Sequence, residues 1–407
     1  MKLPMPRPLP PAIDKRRDTP PAVLSGRSFT SPRPPSASAV SRHRFAREVL
    51  FTVDRNTSVG TEEQIAQRLG LAILERHTSA LLDRRTVRAR IRGRSTVEMV
   101  VEALVNEPDV NEAQPNFAYH QQQGPPADSG LQYSLTKLNL AGTPADADGK
   151  GVTVAVIDTA IDATHPDFAH LDLRSIDAFG TTVIRHRSHG TAIAGILAAD
   201  GVVKGIAPHV RLLAVRAFDS SPGDQRTVSS TFVLLRSLDL AIENSARIIN
   251  MSFAGPEDGL VAKAVAAAAR ANVHLVSAAG NLGPDAPPAF PAAYPEVISV
   301  TAIGANDERY PAANIGTYIG LSAPGVDVIV PAPRRTHAVR SGTSMAAAHV
   351  AGVLALMLER NPDLSPEEGR RALLGTAIDL GPPGRDAEFG AGRADAKAAL
   401  EAAGEAR

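Results

Sequence analysis

At 407 residues the chain is too long for one small core and suits two folded units with a tail. Lys and Arg number 43 against 43 for Asp and Glu, aromatics make up 4% and Trp is absent, so neither the charge nor the stacking surface of a nucleic-acid binder exists. The lack of any cysteine removes disulfides, thiolate metal sites and a thiol nucleophile.

Residues 1–44 hold ten of the 32 prolines, mixed with Lys2, Arg7, Lys15, Arg16, Arg17, Arg27 and Arg33. Such a segment has too little apolar surface to offset the entropy of ordering, and a disordered tail is expected. It holds no apolar run of the kind a secretory signal needs, and no stretch of the sequence is long and apolar enough to span a membrane.

Residues 45–119 read as a small α+β domain. Val49, Phe51 and Val53 alternate as in a strand. Thr61 to Gln64 has the form of a capping box opening a helix with Ile65 and Leu69 on one face. Strands are expected over 71–77 and 86–91, the second with Val87, Ala89 and Ile91 inward. Ser95 to Glu98 opens a second capped helix with Val97, Val101 and Leu104 in register, and Val110–Tyr119 closes as a last strand. The order β-α-β-β-α-β is the ferredoxin-like arrangement.

A polar stretch, 120–130, leads to a unit over 131–402 in which apolar strands alternate with helices. These are Val152–Ile157, a helix from Gly190, Arg211–Ala217, a helix near Ser229–Glu243, Arg247–Phe253, a helix Asp258–Asn272, Val273–Ala279 and Val297–Ala302. The alternation predicts a largely parallel sheet with helices on both faces, and ligands bind such sheets at the carboxyl ends of the strands.

Ser344 stands in R-S-G-T-S-M-A-A-A-H-V-A-G (Arg340–Gly352), a turn followed by a small-residue helix. A serine there is either a helix cap or a nucleophile facing N–H donors. His189, in S-H-G-T-A-I-A-G (Ser188–Gly195), opens a second small-residue helix that can pack deep against the sheet, and it is a candidate general base. Asp158 follows four apolar residues in V-A-V-I-D-T (Val154–Thr159), where a carboxylate needs a partner. It reads as a turn cap, as a ribose-binding acid lacking the glycine fingerprint, or as the group that orients a histidine. Asn281, in Val276–Gly283, is a turn residue or an oxyanion donor. The chain order Asp, His, Ser is one of three unrelated orders that build a catalytic triad.

With Gly205-Ile-Ala-Pro208, Ile249-Asn-Met-Ser252, Phe290-Pro-Ala-Ala-Tyr-Pro295 and Phe389–Ala396, these segments resemble the subtilisin-like (subtilase) serine endopeptidases over residues 131–402. The resemblance implies a subtilisin-like α/β fold and peptide-bond hydrolysis through an acyl-enzyme. It implies Asp158, His189 and Ser344 as the triad, with Asn281 and the Ser344 N–H as the oxyanion hole. Residues 45–119 then correspond to an inhibitory propeptide that acts as a folding chaperone, and the chain to a zymogen that cuts itself between Tyr119 and Gly130. Its partners would be protein or peptide substrates and its own propeptide, and a secreted or extracytoplasmic placement follows from the family alone.

Ser252, Phe253, Ala254, Gly255 and Ala289 fall on the family's primary specificity pocket, with Ala254 where the family usually has Gly. The added methyl groups predict small or medium apolar side chains at the cleaved residue. Ala160 replaces a usual Gly and Ala348 a usual Pro, and neither touches a reacting atom. No cofactor is expected. Asp167 matches a family calcium ligand, yet the short loop 199–205 lacks the oxygen-rich turn of a six- to eight-ligand site, so no metal is expected there. The same fold would also serve a catalytically silent peptide binder, or a peptide cyclase or transpeptidase.

Overall fold

The computed structural model describes residues 44–121, 132–181, 183–220 and 227–405. The proline-rich tail and most of the expected linker lie outside these residues. The first unit contains β1 (Arg44–Asp54), α1 (Val59–Arg68), β2 (Leu71–Ser79), β3 (Arg84–Ile91), α2 (Val97–Val105) and β4 (Glu112–Gln121). Its strands lie in the order β2-β3-β1-β4, all antiparallel. Val49, Phe51, Val53, Val87 and Ala89 are fully buried on one face, and Ile65 and Leu104 close over them from the two helices.

The caps differ from expectation. Ser58, not Thr61, caps α1 and accepts from the Thr61 N–H; Thr96, not Ser95, caps α2. Apolar periodicity marks where a helix meets the core but not which nearby hydroxyl ends it. The last strand also begins two residues later than expected and runs on to Gln121. The reason is tertiary: its first half pairs with β1, while Ala118 to Gln121 leaves that sheet and pairs with strands of the second unit.

The second unit contains α3 (Tyr133–Lys137), β5 (Thr153–Asp158), β6 (Asp172–Asp177), α4 (Ser188–Ala198), β7 (Arg211–Arg216), β8 (Val228–Ser230), α5 (Thr231–Glu243), β9 (Ile248–Met251), β10 (Phe253–Ala254), α6 (Gly259–Arg270), β11 (His274–Ala278) and β12 (Val297–Ile303). It continues with β13 (Leu321–Pro324), β14 (Val328–Ala332), β15 (Thr336–Arg340), α7 (Thr343–Arg360), α8 (Pro366–Gly375) and α9 (Ala396–Glu405). Its main sheet has the order β13-β12-β11-β9-β5-β7-β6, parallel throughout.

Successive side chains of a strand point to opposite faces. Val154 and Val156 therefore join the core under α4, α7 and α9, whereas Ala155 and Ile157 join the core under α5 and α6. Both faces being covered explains why these strands read as unbroken apolar runs. Some of the strands that the sequence leaves unmarked break this rule. β6 is a largely exposed edge strand, and the β14–β15 hairpin turns through Arg334 and Arg335 at φ 67° and 60° without a glycine.

Two histidines are locked neutral in this core. Burial pushes the pKa of His274 on β11 and of His349 on α7 from 6.5 down to about 4. The unfolded chain takes up these protons below pH 6.5 and the folded chain does not, so stability falls as pH drops from 6.5 toward 4. Each group costs about 3 kcal/mol by pH 4. Urea midpoints of the chain should fall steeply over that range, and less steeply in His349→Gln. A slope unchanged by that substitution would reject the assignment for His349.

Candidate active site

Asp158 is the last residue of β5 and His189 lies in the first turn of α4, which crosses the end of that strand. An added Cβ at Gly190 would lie 2.6 Å from the Thr159 carbonyl oxygen and 2.9 Å from that of Ala160. Glycine thus lets the helix approach closely enough to bring the ring to the carboxylate. His189 Nδ1 sits 2.9 Å from Asp158 Oδ1 and 2.7 Å from Oδ2, both residues at most 5% exposed. Oδ1 also accepts from the Thr159 N–H at 2.6 Å and hydroxyl at 3.2 Å, while the Thr159 hydroxyl accepts from the Gly190 N–H at 2.9 Å. Hydrogen-bond donors thus surround the carboxylate. At the ring's other end, Nε2 is buried and makes no hydrogen bond among the described residues. A buried ring nitrogen of this kind calls for a functional account.

Ser344 is fully buried in the first turn of α7, so its side chain and backbone N–H stand at the positive end of an 18-residue helix. Its Oγ donates to the Ser252 carbonyl at 3.2 Å, and Ser252 Oγ donates back to the Ser344 carbonyl at 3.2 Å. Asn281 lies beside the same helix start: its Oδ1 accepts from the Thr343 N–H at 3.0 Å and hydroxyl at 2.9 Å. With the oxygen so committed, the amide's other edge is the Nδ2 donor.

These groups meet at one end of the sheet, and β4 runs through the meeting point. Ala118, Tyr119 and His120 pair antiparallel with Ser230, Ser229 and Val228, while His120 and Gln121 pair with Ala254 and Phe253. Gln121 Nε2 donates to Asp158 Oδ1 at 2.7 Å, and Gln121 Oε1 accepts from the Thr227 hydroxyl at 2.9 Å. Neither Gln121 nor Thr227 stands out in the sequence, because polar side chains in a polar stretch look like linker. Tyr119 is fully buried, and its hydroxyl donates to Asp258 at 3.1 Å.

The expected pocket residues lie on the same edge. Phe253 and Ala254 form β10, and the Gly255 N–H donates to the Phe290 carbonyl at 2.8 Å, next to the buried Ala289. Ala160 has no positive φ, so its methyl group adds no left-handed strain, and α7 runs unbroken past Ala348. Asp167 accepts from the Val202 and Val203 N–H groups and lies 2.8 Å from His337 Nε2. Burial raises its pKa, but the His337 contact and the two N–H groups outweigh this and hold it below the usual carboxylate range. The nearby His165 is likewise spent on the Asp167 N–H and the Thr336 carbonyl. Hydrogen-bond donors around Asp167 do not fit calcium, which needs a cage of oxygens.

The profile of the subtilase family matches residues 149–392. The chain belongs to the subtilase family. It is a serine endopeptidase of the hydrolase class, like the subtilisins it resembles. Subtilisin NAT of Bacillus subtilis subsp. natto is 31% identical over 297 residues, covering 70% of this chain and 74% of that protein. Subtilisin DY of Bacillus licheniformis is 36% identical over 242 residues, covering 57% and 86%. Fervidolysin from Fervidobacterium pennivorans, 22% identical, shares the fold with a TM-score of 0.74 over 88% of this subtilase, which spans 61% of the fervidolysin chain. No helix among the described residues is long and apolar enough to cross a membrane.

Proposed function

We propose that this subtilase is made as a zymogen and cleaves peptide bonds with Asp158, His189 and Ser344. The observation that carries the reading is His189: Nδ1 is fixed by Asp158, and a buried, unpartnered Nε2 remains to take the serine proton. Ser344 Oγ attacks the substrate carbonyl as His189 accepts its proton. The oxyanion forms at the start of α7, where the Ser344 N–H and Asn281 Nδ2 donate to it. His189 then protonates the leaving amine, and water, deprotonated in turn by His189, releases the acyl group.

Residues 44–121 act as the propeptide on this reading, with β4 lying in the cleft as a product strand does. Substrates bind likewise, adding a strand between β8 and β10. The bond cut in processing follows Gln121, within residues 122–130, which are outside the described residues. Ala254 and Ala289 narrow the pocket for the cleaved residue and favour small or medium apolar side chains there. Digestion of a peptide library tests the assignment together with labelling by a fluorophosphonate. The processed wild type should label and cut after such residues, while a silent peptide binder would do neither. A profile dominated by aromatic residues at the cleaved position would reject the pocket reading alone.

A further inference from the structure

We infer that Asp258 is a specificity-determining residue that reads the hydroxyl of a substrate tyrosine, so that this peptidase prefers tyrosine over phenylalanine at the fourth residue upstream of the bond it cuts. The inference rests on the peptidase reading above and names what the cleft selects.

The position follows from register. Tyr119 lies opposite Ser229 and Gln121 opposite Phe253. The next residue of a chain bound in this way faces Ser252, whose carbonyl accepts from Ser344 Oγ. The attacked carbonyl belongs to that residue, which places tyrosine three residues before it.

The pocket that holds Tyr119 is built for a ring with a polar tip. The Tyr119 ring stands edge-on to Phe253, with centroids 6.0 Å apart. A Cβ at residue 255 would come within 2.3 Å of the ring, so Gly255 leaves the room it needs. At the floor, Asp258 is 1% exposed and its two carboxylate oxygens have separate tasks. Oδ1 caps α6 by accepting from the Leu260 and Val261 N–H groups, and takes a further hydrogen bond from Gln114. Oδ2 accepts from the Thr231 hydroxyl at 2.6 Å and the Tyr119 hydroxyl at 3.1 Å. The Asp258 backbone is pinned at both its N–H and its carbonyl by the Tyr294 hydroxyl, so the carboxylate cannot turn away.

A helix cap alone would explain Oδ1 but not Oδ2, since serine caps a helix equally well with one oxygen. Gln114 and Tyr119 both lie on β4, so both donors leave when β4 leaves the cleft. Asp258 then needs a donor from whatever strand replaces it. Phenylalanine fills the same walls and leaves a buried carboxylate short of one hydrogen bond, the situation in which polar sites discriminate most strongly.

The test uses the self-processed enzyme and three peptides that differ only at this residue: tyrosine, phenylalanine and O-methyltyrosine, which keeps the oxygen but cannot donate. Tyrosine should exceed phenylalanine in kcat/KM by about tenfold or more, with O-methyltyrosine no better than phenylalanine. In Asp258→Ser, which retains a cap, the tyrosine-to-phenylalanine ratio should fall toward one. Equal rates on all three peptides in the wild type, or a ratio kept in Asp258→Ser, would overturn the inference and leave the peptidase reading intact. If the variant fails to fold, the peptide series on the wild type decides by itself. An enzyme that cuts none of the peptides and takes no fluorophosphonate would bring down the peptidase reading, and this inference with it.

Discussion

The 407-residue chain carrying Ser344→Ala should stay a single species on a gel, while the wild type resolves into a mature form whose N-terminus, by mass spectrometry, lies within residues 123–131. On a peptide substrate the variant should lose ~10^6-fold in kcat, the size known for the same change in subtilisin, a relative, and carried over from it. The physical basis is the arrangement around the hydroxyl. Ser344 Oγ is anchored to the Ser252 carbonyl on one side of the cleft, at a helix start that, on the proposed reading, supplies donors for the oxyanion. Alanine keeps the helix and its donors but leaves no atom to form the acyl-enzyme. The fold should therefore survive, with an unchanged urea midpoint at neutral pH. A variant that still processed itself, or that kept a hundredth of the activity, would remove Ser344 from the reaction.

Asp158→Asn should cost ~10^4-fold in kcat near neutral pH with little change in KM, the order seen for this residue type in triad hydrolases including subtilisin. The reason is a tautomer rather than a lost contact. Asp158 Oδ1 is held by the N–H and hydroxyl of Thr159, so an asparagine keeps its carbonyl oxygen at that place. Its NH2 then faces His189 Nδ1, where Oδ2 now sits at 2.7 Å. A ring that accepts at Nδ1 carries its proton on Nε2 and cannot take one from Ser344. Fluorophosphonate labelling should slow in parallel. Activity within tenfold of wild type would mean that Asp158 only ties the turn after β5 to α4.

Much of this was legible before any coordinates. Asp158 stood out because a carboxylate is costly after four apolar strand residues, and His189, Ser344 and Asn281 because each stands among small residues next to a turn, strand end or helix start. Unbroken apolar strands announced a sheet covered on both faces, and β5, β7, β11 and β12 appear within a residue or two of their expected bounds. Edge strand β6 escaped because it is polar and exposed, and the β14–β15 hairpin because Pro331 interrupts its one apolar run and no glycine marks its turn.

What the chain determined alone was thus the chemistry: residue types, their order, and the local backbone that carries them. Which residues meet was left to the packing of distant segments. Gln121 reaching Asp158, Tyr119 reaching Asp258 and donors closing around Asp167 are contacts between segments far apart in sequence. Local pattern records whether a residue is buried, through periodicity and composition, but a hydrogen bond across 139 positions leaves no periodic trace. The first two follow from the register of β4 against β8 and β10, where the two units meet, and the third from loop 199–205 and β15 packing on the turn at Asp167.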